Sequence, residues 1–265
     1  MTQRTADRIG SSAIRDLLRL TERPGILSLA GGVPAAEAFP VAMVEAATAR
    51  VLAADPVGAL QYGPTEGHGP LRAWIAGHRG VPADQVVVTH GAQQALDLVA
   101  RAVLQPGDTA ALADPAYVGA LQVLRATGAH LEALPADADG LDVDALAARL
   151  RAGCRPRLVY TVSEHHNPTG VTLAADRRAA LGALADRYGF VVVDDDPYGE
   201  LRWAGDRPPP VSHFTDRVVT LGSFSKVLAP GLRVGYLIAP AELAADAVIL
   251  KQAAEHHVVH DPLGE

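Results

Sequence analysis

The densest chemistry in this sequence lies in one segment, SFSKVLAPGLR, residues 223–233. It sets two hydroxyls, Ser223 and Ser225, beside Lys226, with Arg233 seven residues further on. A lysine amine can bond an aldehyde carbon as a Schiff base. Hydroxyls and a forked guanidinium suit a phosphate dianion. The chain has two lysines, Lys226 and Lys251, so any mechanism that needs a lysine amine has two candidates.

A second segment, VVVDDDPYGELRW (191–203), ends an apolar run in three acids. An aldehyde-bearing pyridine cofactor needs a carboxylate against its ring nitrogen, so that the protonated ring can accept the electrons of a carbanion. Alternation along a strand end turns Asp194 and Asp196 away from Asp195. A metal cluster of the three would need convergent partners elsewhere. Lysine, phosphate donors and acid together are the needs of pyridoxal 5′-phosphate (PLP). HGAQQALDLVARAV (90–103) adds a turn into a helix, whose first N–H groups make an anion site. Ala92 and Gln93 would donate there by backbone, with the Gln93 side chain assisting.

The lysine segment resembles the lysine loop of fold-type I, class I/II aminotransferases, in particular the 2-aminoadipate and broad-specificity group. The other segments resemble that family in order and spacing over about residues 8–255. The resemblance implies that Lys226 forms the Schiff base and moves the substrate's Cα proton, that Asp195 pairs with the ring nitrogen, and that Arg233 pairs with the phosphate. An Asp followed three residues later by Tyr is the family pattern, which gives Tyr198 to the cofactor's 3-oxygen. HHNPTG (165–170) matches an Asn-Pro-Thr-Gly turn and gives Asn167 to the same oxygen. In DPAY (114–117), Tyr117 would stack on the ring; taken alone it reads equally as a core tyrosine. In LQYGPTEGHGPLR (60–72), Tyr62 would cross a homodimer interface to the neighbour's phosphate. LAGGVP (29–34) brings Gly32 toward the substrate carboxylate. SSAIRDLL resembles a gating helix whose Arg15 reads the substrate side chain, although a solvated helix-face arginine explains Arg15 as well. Two departures stand out. Ser163-Glu164 replaces a stretch in which Pro is common, and His165 stands where an aromatic is frequent.

These groups need a frame. Apolar runs of strand length fall at 85–89, 109–113, 129–134, 157–161, 190–194, 217–222 and 234–239. Helical patterns cover 12–20, 41–54, 92–104, 117–127, 142–151 and 174–188. Short apolar strands alternating with helices predict a mostly parallel, doubly wound α/β sheet of about seven strands. The short connection into 234–239 makes that strand the one antiparallel member. Ligands bind such sheets at the carboxyl ends of the strands, and five of the polar segments fall at those ends. The organisation reads as an N-terminal helix and substrate-side segment (1–40), a PLP-binding large domain (41–240), and the start of a joining helix (241–265).

Composition narrows the partners. The net charge is −7, with basic residues dispersed, so neither nucleic acid nor an anionic membrane is expected. The single cysteine, Cys154, leaves no disulfide framework and points to a cytoplasmic protein. No apolar run is long enough to span a membrane. His256, His257 and His260 read as a helix end or tail rather than a metal site, since no third ligand accompanies them. The expected reaction is ping-pong amino transfer between an amino acid and a 2-oxo acid. Another PLP reaction, such as a lyase or cyclase, shares the same cofactor site. A PLP-sensing effector domain would call for a fused winged helix, and an inactive fragment is the third alternative. The family's small domain, with its carboxylate-binding arginine, finds no counterpart in the sequence, so the resemblance implies that these residues alone are a poor catalyst.

Overall fold

A computed structural model of the chain describes Gly25, residues 32–254 and residues 258–259. Arg15, the helical pattern at 12–20, and His256, His257 and His260 lie outside the described residues.

Helix α1 is Val41–Ala54 and α2 is Pro56–Leu60. Asp55 divides them: Pro56 opens the second helix, and the Asp55 carboxylate accepts from the Gly58 N–H at 2.8 Å. Strand β1 is Tyr62–Gly63. Helix α3, Gly69–Arg79, is missing from the helical patterns read in the sequence. Pro70 sits in the first helical turn, where its missing N–H costs nothing. Leu71, Ile75 and Ala76 form the stripe that the helix buries. There follow β2 Val86–Thr89, α4 Ala92–Val103, β3 Thr109–Asp114, α5 Val118–Ala126, β4 His130–Asp137, β5 Gly140–Leu141 and α6 Val143–Arg151. The chain continues through β6 Pro156–Thr161, α7 Ala175–Tyr188, β7 Val191–Asp195, β8 Val218–Ser223, β9 Gly235–Ile238, α8 Ala241–Ala254 and β10 Val258–Val259.

Eight strands form one sheet in the order β2-β9-β8-β7-β6-β3-β4-β5, and β1 pairs separately with β10. β9 runs antiparallel to both its neighbours, as its short connection from β8 requires. The expectation of a single antiparallel strand needs correction, because β5 also runs antiparallel, against β4. The cause is a tight hairpin: the Asp139 N–H donates to Asp137 Oδ1, and Gly140 takes φ 93°.

The strands are apolar on both faces because both faces are covered. On one face α4, α5 and α8 pack a core that includes Leu96, Leu124 and Ala247. On the other, α6 and α7 bury Leu146, Leu181 and Phe190. Among the described residues no helix is long and apolar enough to cross a membrane. The doubly wound arrangement leaves the carboxyl ends of β2, β3, β6, β7 and β8 to carry the polar segments.

Candidate active site

Asp195 is the last residue of β7, buried where the strand delivers it. The Tyr160 hydroxyl, from the neighbouring β6, donates to its Oδ2 at 2.7 Å. Oδ1 is buried and has no protein partner. Burial pushes the Asp195 carboxyl up to about 7, with Asp194 and Asp196 adding to the rise and the Tyr160 hydrogen bond opposing it. The flanking acids face elsewhere: Asp194 Oδ1 accepts from the Ser163 N–H at 3.4 Å, and Asp196 pairs with Arg79 and Arg207.

Lys226 lies just past β8. The Ser225 N–H donates to Ser223 Oγ and the Leu228 N–H to the Phe224 carbonyl, closing the turn that presents the lysine. Its Nζ donates to the Gly32 carbonyl at 2.7 Å. Partial burial lowers the pKa of the amine below its ordinary value. Lys251, the other lysine, is fully buried and donates to the carbonyls of Thr65 (2.9 Å) and Val88 (2.6 Å), away from this site.

The anion cradle forms where β2 turns into α4. Gly91 takes φ 79° at the N-cap and supplies no side-chain cap, which leaves the first helical N–H groups, from Ala92 and Gln93 on, for a ligand. Arg233, itself at φ 58°, donates from Nη2 to the His90 carbonyl at 3.2 Å. A Cβ on Gly91 would lie 2.7 Å from that Nη2, so glycine is what lets the guanidinium reach the turn. One expectation is corrected here. The Gln93 side chain does not serve the cradle: its Nε2 donates to the Gly119 carbonyl at 3.0 Å, and its Oε1 accepts from the Tyr117 hydroxyl at 3.4 Å. That pair steadies the Tyr117 ring.

These groups surround one cavity of about 290 Å³. Asp195, Lys226, Tyr117, Arg233, Asn167 and Tyr198 line it. Gly32, Ala92, Gln93, Ser223 and Ser225, also named from sequence, line it too. Tyr62 does not line the cavity; it stands exposed on β1. Sequence reading missed Tyr160 and Val162, which also line it. Both sit in or just after an apolar strand, and only the register of β6 on β7 brings Tyr160 to Asp195.

The fit to PLP follows from the unpartnered atom. A buried carboxylate oxygen without a donor is costly, and a protonated pyridine nitrogen would supply the donor. The uncapped helix end with Arg233 suits the phosphate, and the Lys226 amine suits the aldehyde. Among the described residues no three His, Cys, Asp or Glu side chains group as a metal site.

A family model described as aminotransferase class I and II matches residues 24–256. The chain is 43% identical to a 2-aminoadipate transaminase of Thermus thermophilus over 98% of its own length and 68% of that protein's. It is 39% identical to aromatic-amino-acid aminotransferase 1 of Thermococcus litoralis, covering 92% of this chain and 62% of the relative. The crystal structure of LysN, the α-aminoadipate aminotransferase of Thermus thermophilus in complex with N-(5′-phosphopyridoxyl)-L-leucine, superposes with a TM-score of 0.90 at 41% identity. That match covers 99% of this chain and 67% of LysN, so the chain spans about two thirds of the length of these relatives.

Proposed function

The chain belongs to the class I and II aminotransferases, PLP-dependent enzymes that move an amino group between an amino acid and a 2-oxo acid, and we propose that its reaction is centred on Lys226. The observation that carries this reading is the convergence of the Lys226 amine and the unpartnered Asp195 Oδ1 on one cavity. When bound, the cofactor supplies an electron-poor pyridine ring that accepts the electron pair released at the substrate's Cα.

The chain's own residues divide the remaining work. Asp195 holds the ring nitrogen in its protonated form, and Tyr160 fixes that carboxylate by donating to its other oxygen. Arg233 and the N–H groups of Ala92 and Gln93 hold the phosphate, with the hydroxyls of Ser223 and Ser225 beside them. Tyr117 covers one face of the ring. Asn167 and Tyr198 donate to the ring oxygen. Lys226 Nζ would hold the cofactor's aldehyde end and would take the substrate's Cα proton, and its lowered pKa leaves more of the amine neutral for that task. We place residues 41–240 as the cofactor-binding body, with α8 leading away from it.

Substrates follow the relatives. Amino acids with acidic or aromatic side chains are the first donors to try, with Gly32 at the carboxylate end. Arg15 is proposed as a side-chain reader. A homodimer is supported by α1, which buries none of its residues, and by the exposed apolar side chains of Val41 and Met43 on α1 and of Val57 and Leu60 on α2. In that assembly Tyr62 reaches the partner's phosphate. A cytoplasmic setting suits a chain with one cysteine.

Borohydride reduction of the PLP-loaded protein, followed by peptide mapping, should label the peptide that holds Lys226. A label on Lys251 would refute the assignment. Mixing the loaded protein with 2-aminoadipate and aromatic amino acids, without an acceptor, should release about one equivalent of 2-oxo acid per site, as ping-pong transfer demands. Release of ammonia instead would mark a lyase.

A further inference from the structure

The loop residue Glu164 departs from the pattern around it, and the structure gives that departure a use. Glu164 is fully buried, three residues before Asn167. Its Oε1 accepts from Arg178 Nη2 at 2.9 Å, and its Oε2 from Arg202 Nη2 at 2.7 Å. Arg207 Nε stands 3.4 Å from Oε1. Burial alone would raise this carboxyl; its hydrogen bonds with Arg202 and Arg178 and the charges of Arg178 and Arg207 outweigh burial and hold it below its ordinary value, ionised.

Each arginine ties a different piece of the site. Arg178, from α7, also donates to the carbonyls of Ser163 and Leu173, at 2.9 and 2.8 Å, which fixes both ends of the Asn167 turn. Arg202 lies four residues past Tyr198 on the loop after β7 and reaches Thr172 Oγ1 at 3.4 Å. Arg207 pairs with Asp196, the residue next to Asp195. Asp196 Oδ2 also accepts from Arg79 Nη1 at 3.1 Å. One carboxylate therefore joins the segment that carries Asn167 to the segment that carries Tyr198, and both of these side chains line the same cavity.

We propose that Glu164 is a positioning residue: through Arg202 and Arg178 it sets the distance between Asn167 and Tyr198, and so the strength of their paired donation to the cofactor's ring oxygen. The proposal rests on the cofactor reading above. A buried ion cluster is a poor source of net stability compared with apolar packing, whereas a two-oxygen acceptor that engages guanidinium groups from two segments fixes their relative placement.

Donors to the ring oxygen favour its anionic form. Loosening them must raise the pH at which the visible absorption of the PLP-loaded protein changes. The experiment titrates that absorption in wild type, Glu164→Gln, Tyr198→Phe and the double variant, alongside the thermal midpoint of each. Glu164→Gln should raise the absorption midpoint by about half a pH unit or more, with PLP affinity within about threefold of wild type, since the phosphate contacts stay intact. On the Tyr198→Phe background the same substitution should add less than about half of that shift, because the group it positions is gone. An unshifted midpoint in a Glu164→Gln protein that loads PLP overturns the proposal, and so does an equal shift on both backgrounds. If Glu164→Gln does not fold, Arg202→Gln cuts the same link from its more exposed end and carries the same two outcomes. A wild type with no visible band would remove the cofactor reading, and this proposal with it.

Discussion

Tyr160 and Asp195 meet across neighbouring parallel strands, the hydroxyl donating to Oδ2 at 2.7 Å while Oδ1 is left buried and unpartnered. The relationship makes Asp195 a carboxylate prepared for a cationic donor and uncomfortable without one. Burial holds its pKa up at about 7.

That discomfort is measurable. An Asp in the unfolded chain titrates near 4. Between about pH 4 and 7 the native cofactor-free protein therefore binds more protons at Asp195 than the unfolded chain does. Its contribution to stability is complete below the unfolded value and is lost as pH rises through the folded one. Urea unfolding of the cofactor-free protein should show wild type losing on the order of a few kcal/mol relative to Asp195→Asn over that window. Parallel pH profiles would disprove the assignment. With PLP bound, Asp195→Asn should retain the cofactor yet slow Cα proton removal, seen as a larger deuterium isotope effect with Cα-labelled donor.

The phosphate cradle gives a second expectation. Arg233 reaches the His90 carbonyl only because Gly91 has no side chain, and the φ of 79° at Gly91 is strained for any other residue. Arg233→Gln and Gly91→Ala should each weaken PLP binding by about tenfold or more, the size of one charge-assisted hydrogen bond. Pyridoxal, which lacks the phosphate, should bind both variants as it binds wild type. An equal loss for pyridoxal would place the damage in the ring site instead.

The parts of the site legible in sequence were those written as short segments at strand ends: Lys226 with its hydroxyls, Asp195 with Tyr198, and the Asn167 turn. A strand end can be found from an apolar run followed by turn formers, so the gathering of these segments at one sheet edge was legible too. Pairings between strands were not. Tyr160 looks like any core aromatic until the register of β6 on β7 is known. Glu164 finds its partners 14 and 38 residues away, at Arg178 and Arg202, distances over which sequence carries no pairing signal. Helix α3 was missed because Gly69 and Pro70 read as loop, although the same Pro sits comfortably in a first turn. The role expected of the Gln93 side chain failed because Tyr117 and the Gly119 carbonyl compete for it.

Lys251 offers a contrast with Lys226. Its ammonium is buried and serves two carbonyls, Thr65 O and Val88 O, which lie beside the Tyr62 loop and at the end of β2. Lys251→Met keeps the apolar stem and removes those donors. The variant should lose ~1–3 kcal/mol of stability in denaturant titration, the cost of leaving buried acceptors unmet. Its visible PLP absorption should survive. A variant as stable as wild type would show that the two carbonyls find other donors at no cost, and a lost absorption would show that Lys251 belongs to the cofactor site.

The last expectation concerns a place where two backbones touch. A Cβ on Gly235, at the start of β9, would lie 2.5 to 2.7 Å from the Gly91 carbonyl carbon, the Gly91 Cα and Ala92 N. All three atoms are backbone, so they cannot swing aside as a side-chain tip does. Gly235→Ala must push β9 away from the turn that opens α4, and that turn holds the Ala92 N–H proposed for the phosphate. Overpacking of this kind costs ~1–3 kcal/mol. Gly182 on α7 provides a control, since a Cβ there would crowd Phe214 at 2.9 Å on the other face of the sheet. Both variants should unfold at lower denaturant concentration than wild type. Gly235→Ala alone should also weaken PLP binding, by about tenfold, while leaving pyridoxal binding unchanged. Equal PLP affinity in the two variants would mean that the cradle tolerates the displacement, and that the close approach of β9 to Gly91 serves packing rather than phosphate binding.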